Sequence, residues 1–155
     1  MKTKLNIIFG GKKMLLLLLP VAAGLAVALQ NVFYDKIGEQ VGVMGTVVVV
    51  HVFGLTASLI VYFLTKGTIS NLTSGFNVYM VLAGILGVVV VSGITKSVSV
   101  NGVLLTVMIT IVAQLGLAKV IAHFGWFGIT QNPINWLQVL ALFMMIAGVF
   151  IYQKS

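Results

Sequence analysis

Five long apolar runs constrain this chain more than anything else in it. They cover residues 14–34, 41–64, 76–95, 100–124 and 134–152. Each is close to the roughly 20 residues that a helix needs to cross the hydrocarbon core of a bilayer. Hydrophobic residues make up 60% of the chain and charged ones 7%. A soluble domain charges about a quarter of its positions, so the outer surface here is suited to hydrocarbon instead. The runs of four valines at 47–50 and 88–91 favour strands in water. Strands in a membrane must close into a barrel built from short alternating segments, and these runs are long and do not alternate. A helix satisfies its backbone N–H groups within one segment. The expected fold is therefore all-α, a polytopic integral membrane protein with five transmembrane helices.

The connections, "DKIGEQVG", "KGTISNLTSG", "KSVS" and "GWFGITQNP", leave no room for a soluble domain. Residues 14–155 read as one five-helix domain, preceded by a short basic extension over 1–13. The start, "KKMLLLLLPVAAGLAVALQ", also has the pattern of a signal peptide, with "AVA" as a cleavage site. Its apolar run is long enough to span, however, and four further runs follow, so a membrane span is the better reading. "GGKK" lacks the spacing of a phosphate-binding loop. Pro133 is expected at the first turn of the last helix. Trp126, Trp136, Tyr34, Tyr62 and Tyr152 lie near segment ends, where amphipathic rings favour the interface.

The net charge of +7 comes from nine basic residues, all lysine. Nucleic-acid binding needs a basic surface facing water, whereas these lysines cluster at the ends of apolar runs. Control of topology and contact with lipid headgroups explain them better. Lys2, Lys4, Lys12, Lys13, Lys66 and Lys119 fall on the N-terminal side, and Lys36, Lys96 and Lys154 on the other. That bias favours a cytoplasmic N-terminus, but without the extension it disappears. Such a core could insert in either orientation.

Chemistry at depth has few carriers. The two acids, Asp35 and Glu39, both follow the first helix, and cysteine is absent. No set of nucleophile, base and acid can be assembled, and His51 and His123 are too far apart to suggest a metal site. The chain is therefore expected to be neither an enzyme nor a holder of metal or cofactor. Polar residues within or near the apolar runs are His51, Gln114, Gln30, Asn31, Ser92 and Asn101, with Lys119 close to the end of the fourth run. Each can serve as interhelical glue, worth about 0.6 kcal/mol on average, or as a substrate or coupling group. An ionisable side chain inside a membrane suggests function by default, so His51 is the first candidate. Lys119 either snorkels to the interface or faces an aqueous pocket. Small residues four apart, such as Gly24 with Ala28 and Ala83 with Gly87, allow close helix contacts within a bundle or a dimer.

In order along the chain stand "GLAVALQNVFYDKIG", "FG", "GILGVVVVS", "AQLGLAKVIAHFGWFG" and "AGVFIY". This series resembles the small five-helix, YdcZ-like branch of the drug/metabolite transporter superfamily, over nearly the whole chain. The resemblance implies a small-molecule transporter of the bacterial inner membrane, built from two oppositely oriented five-helix units. A homodimer of inverted protomers, each one half of a 5+5 inverted repeat, would then bind an unidentified substrate near the midplane. Two positions depart from the family pattern. Ala122 precedes "HFG" where an acid is common, and Tyr34 stands where an asparagine commonly follows the helix-one glutamine. A proton-linked role for that acid does not carry over. A non-transporting assembly partner or accessory subunit is the alternative, and a channel the third reading.

Overall fold

The computed structural model describes residues 11–70 and 76–154, with side chains from residue 16 onward. Among them, four helices are long and apolar enough to cross a membrane. They are α1 (Gly11–Leu64), α2 (Val78–Asn101), α3 (Val103–Phe124) and α4 (Trp136–Lys154), with a 3₁₀ turn at Trp126–Gly128 between the last two. The basic extension expected over 1–13 lies mostly outside the described residues, as does half of the connection 66–75. The described chain forms two compact units that divide after Lys96.

Two of the departures from the expected helix boundaries share one physical reason. Residues 35–40, read above as connection, and 41, read as the start of the second run, continue the first helix; 96–99, read as connection, and 100–101, read as the start of the fourth run, continue α2. Charge does not stop a helix whose charged side chains stay accessible, as those of Asp35, Lys36 and Glu39 are. Glycine stops it instead. Gly42 interrupts α1 at φ 73 and ψ 173, and Gly102 separates α2 from α3 at φ 77 and ψ 165. That backbone region is essentially reserved for glycine. A single residue thus replaces each expected loop.

The two arms of α1, α1a (11–41) and α1b (43–64), fold back on each other around Gly42. A Cβ on Gly38 of α1a would lie 3.7 Å from Thr46 Oγ1 of α1b and 3.0 Å from Thr95 Cγ2 of α2. Farther from the turn, Tyr34, Val47 and Val91 form a buried cluster, with Val50 and Ile94 packed against it. Farther still, His51 Nε2 approaches to 3.1 Å of where a Cβ on Gly87 would stand. These pairings make α2 antiparallel to α1b and parallel to α1a. Glycine lets the backbones approach, and threonine fills what remains. Thr46 and Thr95 are buried and donate to the Gly42 and Val91 carbonyls, at 3.0 and 2.7 Å. Each hydroxyl is thereby satisfied within its own helix, and its methyl group is free to pack.

The second unit repeats the device. Ser97 Oγ and Thr106 Oγ1 meet at 2.9 Å across Gly102, and Thr106 is 2% exposed. Thr46 and Thr106 each stand four residues after their glycine. Helices α3 and α4 then pack antiparallel, with a Cβ on Gly116 placed 3.9 Å from Leu142. Their connection is tied down by side chains from α3: Lys119 Nζ donates to the Asn132 and Pro133 carbonyls at 3.0 and 3.2 Å, and His123 Nδ1 accepts from the Ile134 N–H at 3.2 Å. Pro133 lies in this connection rather than in the first turn of α4. Asn135 caps α4 instead: its Oδ1 accepts from the Leu137 N–H, and Gln138 Oε1 accepts from the Asn135 N–H. This reciprocal arrangement is a capping box.

Few large side chains are enclosed. Phe53, Phe143 and Leu25 are 70%, 66% and 65% exposed, as expected of surfaces that lie against lipid. Lipid tails are as apolar as leucine, so close backbone contact and hydrogen bonds hold such helices together.

Candidate functional site

Of the buried polar side chains, Asn31, Thr46 and Thr95 lie in the first unit. Asn31, Tyr34 and Gly38 share one face of α1a by their spacing of three and four residues. Asn31 is 3% exposed and Tyr34 5%. Among the described residues, neither the Asn31 amide nor the Tyr34 hydroxyl has a hydrogen-bond partner. Among the described residues, no fully enclosed polar side-chain atom is left without one, so these two groups keep a narrow opening to the surface. A buried amide left unpaired costs about 1–3 kcal/mol. Asn31 therefore has a reason to meet a ligand, a water or a second chain.

His51, half-buried on α1b, holds its ring over Gly87 of α2. Its Nδ1 lies 2.8 Å from the Val47 carbonyl. A carbonyl can only accept, so Nδ1 carries the proton in the neutral ring, and Nε2 presents a lone pair towards α2. The ring is thus anchored on its own helix and wedged against its neighbour. Counted from Gly42 at about 1.5 Å per residue, His51 lies about 13 Å from the turn and Asn31 about 16 Å.

The other candidates are scattered. Gln30 and Gln114 lie on exposed faces of α1a and α3. Ser92 Oγ donates to the Val89 carbonyl at 3.1 Å, a bond within α2. Asn101, expected early in the fourth helix, is the last residue of α2, where its Nδ2 donates to Ser97 Oγ at 3.2 Å. Lys119 is half-buried and holds the α3–α4 connection, while also lining a groove between those helices. Tyr34, Thr46, Thr95 and Thr106 were absent from the sequence-derived set. The repeated spacing of glycine and threonine, Gly42 to Thr46 and Gly102 to Thr106, was the signal available for two of them.

Charge lies outside this region. Lys36 Nζ pairs with Glu39 Oε2 at 3.1 Å, with both side chains largely exposed. Hydrogen bonding to Glu39 and its negative charge hold the Lys36 ammonium above the usual lysine range. Among the described residues, no group of three His, Asp or Glu is placed to hold a metal ion. The first unit thus offers amide, phenol and imidazole groups for hydrogen bonding, and no carboxylate among them.

No curated protein and no solved structure matches the chain. A family model described as "Putative inner membrane exporter, YdcZ" does match, over residues 15–151. Those residues take in all but the ends of the helical region, and the chain belongs to that family.

Proposed function

We propose that the protein moves a small polar solute across the inner membrane as a dimer, with the solute bound near mid-depth between protomers. The observation that carries this reading is Gln114, at the middle of α3 on an exposed face, with no hydrogen-bond partner among the described residues. An amide facing hydrocarbon without a partner costs several kcal/mol. A second protomer removes that cost, and the amide then faces a cavity or a neighbouring chain. Gln30 sits on an exposed face of α1a in the same position of need. Gly24, where a Cβ would meet nothing within 4 Å, leaves room for close approach of another helix.

In this reading each arm of α1 crosses the membrane separately, giving five crossings. The unbroken length argues for it, because 54 residues of helix would extend about 80 Å, more than twice the hydrocarbon thickness. Five crossings put the two termini on opposite sides. The near-balanced lysines of the core then permit an inverted pair, with polar side chains of both protomers facing one cavity. Movement of one protomer against the other gives alternating access.

Transport by the purified protein tests the proposal. Proteoliposomes loaded with a mixture of small metabolites and drug-like cations are followed by mass spectrometry of the external medium. At least one solute leaves faster than from protein-free vesicles, and Asn31→Leu slows that solute. If every solute matches the protein-free rate, an accessory role is favoured. Ion conductance in a planar bilayer would identify a channel.

A further inference from the structure

We propose that the groove between α3 and α4 binds an anionic membrane phospholipid, with its headgroup at Lys119 and Gln138 and an acyl chain along the seam. Two cavities of about 260 Å³ each lie in this seam and share Met145. The first reaches from Lys119 and Gln138 past Leu115 and Leu142, and the second continues through Val112 to Met108 and Gly148. From Lys119 to Met108 the lane runs about 16 Å along α3, close to the depth of one leaflet, half of the roughly 30 Å core.

The two ends differ in chemistry. Below Leu115 the lining is aliphatic or thioether, and methionine adapts its shape to a flexible chain. At the upper end the donors converge. Lys119 uses two of its three ammonium protons on the Asn132 and Pro133 carbonyls, which fixes its position and leaves one proton to donate. Gln138 accepts from the Asn135 N–H through Oε1, which leaves its Nε2 amide as a second donor. Phosphate oxygens are suitable acceptors for both. No acid lies in α3, the following connection or α4 to repel an anion. Trp126 stacks on Phe124 at 5.4 Å, and Trp136 opens α4. Indole rings favour the headgroup level, so the donors stand where a lipid phosphate would be. A water-borne phosphate would leave the apolar lane empty, whereas a phospholipid occupies both parts. The inference does not depend on transport.

The two tryptophans are the only ones in the chain, and they stand in the α3–α4 connection and at the start of α4, the end that carries Lys119 and Gln138. Their fluorescence in phosphatidylcholine vesicles, titrated with brominated phosphatidylglycerol or brominated phosphatidylcholine, reads occupancy directly. One well-placed lysine should give the anionic lipid an advantage of about fivefold in relative affinity. Lys119→Met reduces that ratio to about one, while Lys154→Met, at the other end of α4, preserves it. Because Lys119 also holds the connection, Gln138→Leu and Ala141→Phe serve as second variants. The first lowers the preference, and the second fills the upper cavity and reduces quenching by both lipids. Inorganic phosphate leaves the quenching unchanged. Equal affinities in the wild type, a preference that survives both Lys119→Met and Gln138→Leu, or displacement by inorganic phosphate would each overturn the proposal.

Discussion

Replacing Gly42 with alanine isolates the device that turns one long helix into two arms. A Cβ at this position meets nothing within 4 Å, so packing does not oppose the change. Only the backbone does, because φ 73 and ψ 173 lie where side-chain-bearing residues carry about 1–3 kcal/mol of strain. At 1.36 kcal/mol per decade, this is about a 5- to 150-fold shift of the unfolding equilibrium. Alanine also favours the helix by about 1 kcal/mol over glycine, but only in the extended conformer, where α1 cannot fold back. Gly54→Ala is the matched control. Its Cβ also meets nothing within 4 Å, and it lies in the regular helix of α1b, so stability should hold or rise by up to about 1 kcal/mol. Unfolding by SDS from mixed micelles, followed by circular dichroism, measures both variants. If Gly42→Ala is as stable as Gly54→Ala, Gly42 is not the strained pivot, and the account of the turn fails.

Other perturbations probe separate parts of the structure. Gly87→Val pushes a side chain into His51 Nε2, which already stands 3.1 Å from the first added atom, and overpacking of this kind costs about 1–3 kcal/mol in the same titration. Asn135→Ala removes the α4 cap and should lower stability by about 1 kcal/mol, with less helical signal at the start of unfolding. In proteoliposomes, His51→Gln should slow solute movement; transport at the full rate would remove His51 from the solute path. For Glu39→Gln the sign is clear: a raised lysine pKa contributes stability below the ordinary 10.5 that is lost only as pH climbs through the folded value. At neutral pH that contribution is fully present, but with side chains 64% and 59% exposed it is screened by solvent, so stability there should stay within experimental scatter.

Much of the fold is legible because apolar length is a physical requirement of a membrane crossing. The helices α2, α3 and α4 each lie close to an apolar run for that reason. Gly42 was harder to identify, since 17 glycines occur in the chain and the charges at 35–39 suggested a loop around it. Charge signals contact with water, which a helix end at the interface also has, whereas the chain turns where the backbone takes a glycine-only conformation. The site was legible in kind more than in grouping. His51 and Asn31 stand out as polar residues in apolar runs, but the pairing of His51 with Gly87 joins residues 36 apart and depends on how helices pack. Gln114 was equally visible, yet the structure sets it on an outer face, which a periodicity nearly uniform in hydrophobicity cannot reveal. Lys119 was visible as a lysine near the end of an apolar run, while the Asn132 and Pro133 carbonyls that receive it depend on the course of the connection.

The inverted pair of five-crossing protomers is tested most directly by where the C-terminal end of α4 lies. The natural chain has no cysteine, so Lys154→Cys provides a single thiol for an impermeant reagent on intact cells. Both orientations should coexist, with part of the population labelled at once and the remainder only after the membrane is opened. All-or-none labelling would contradict the inverted homodimer.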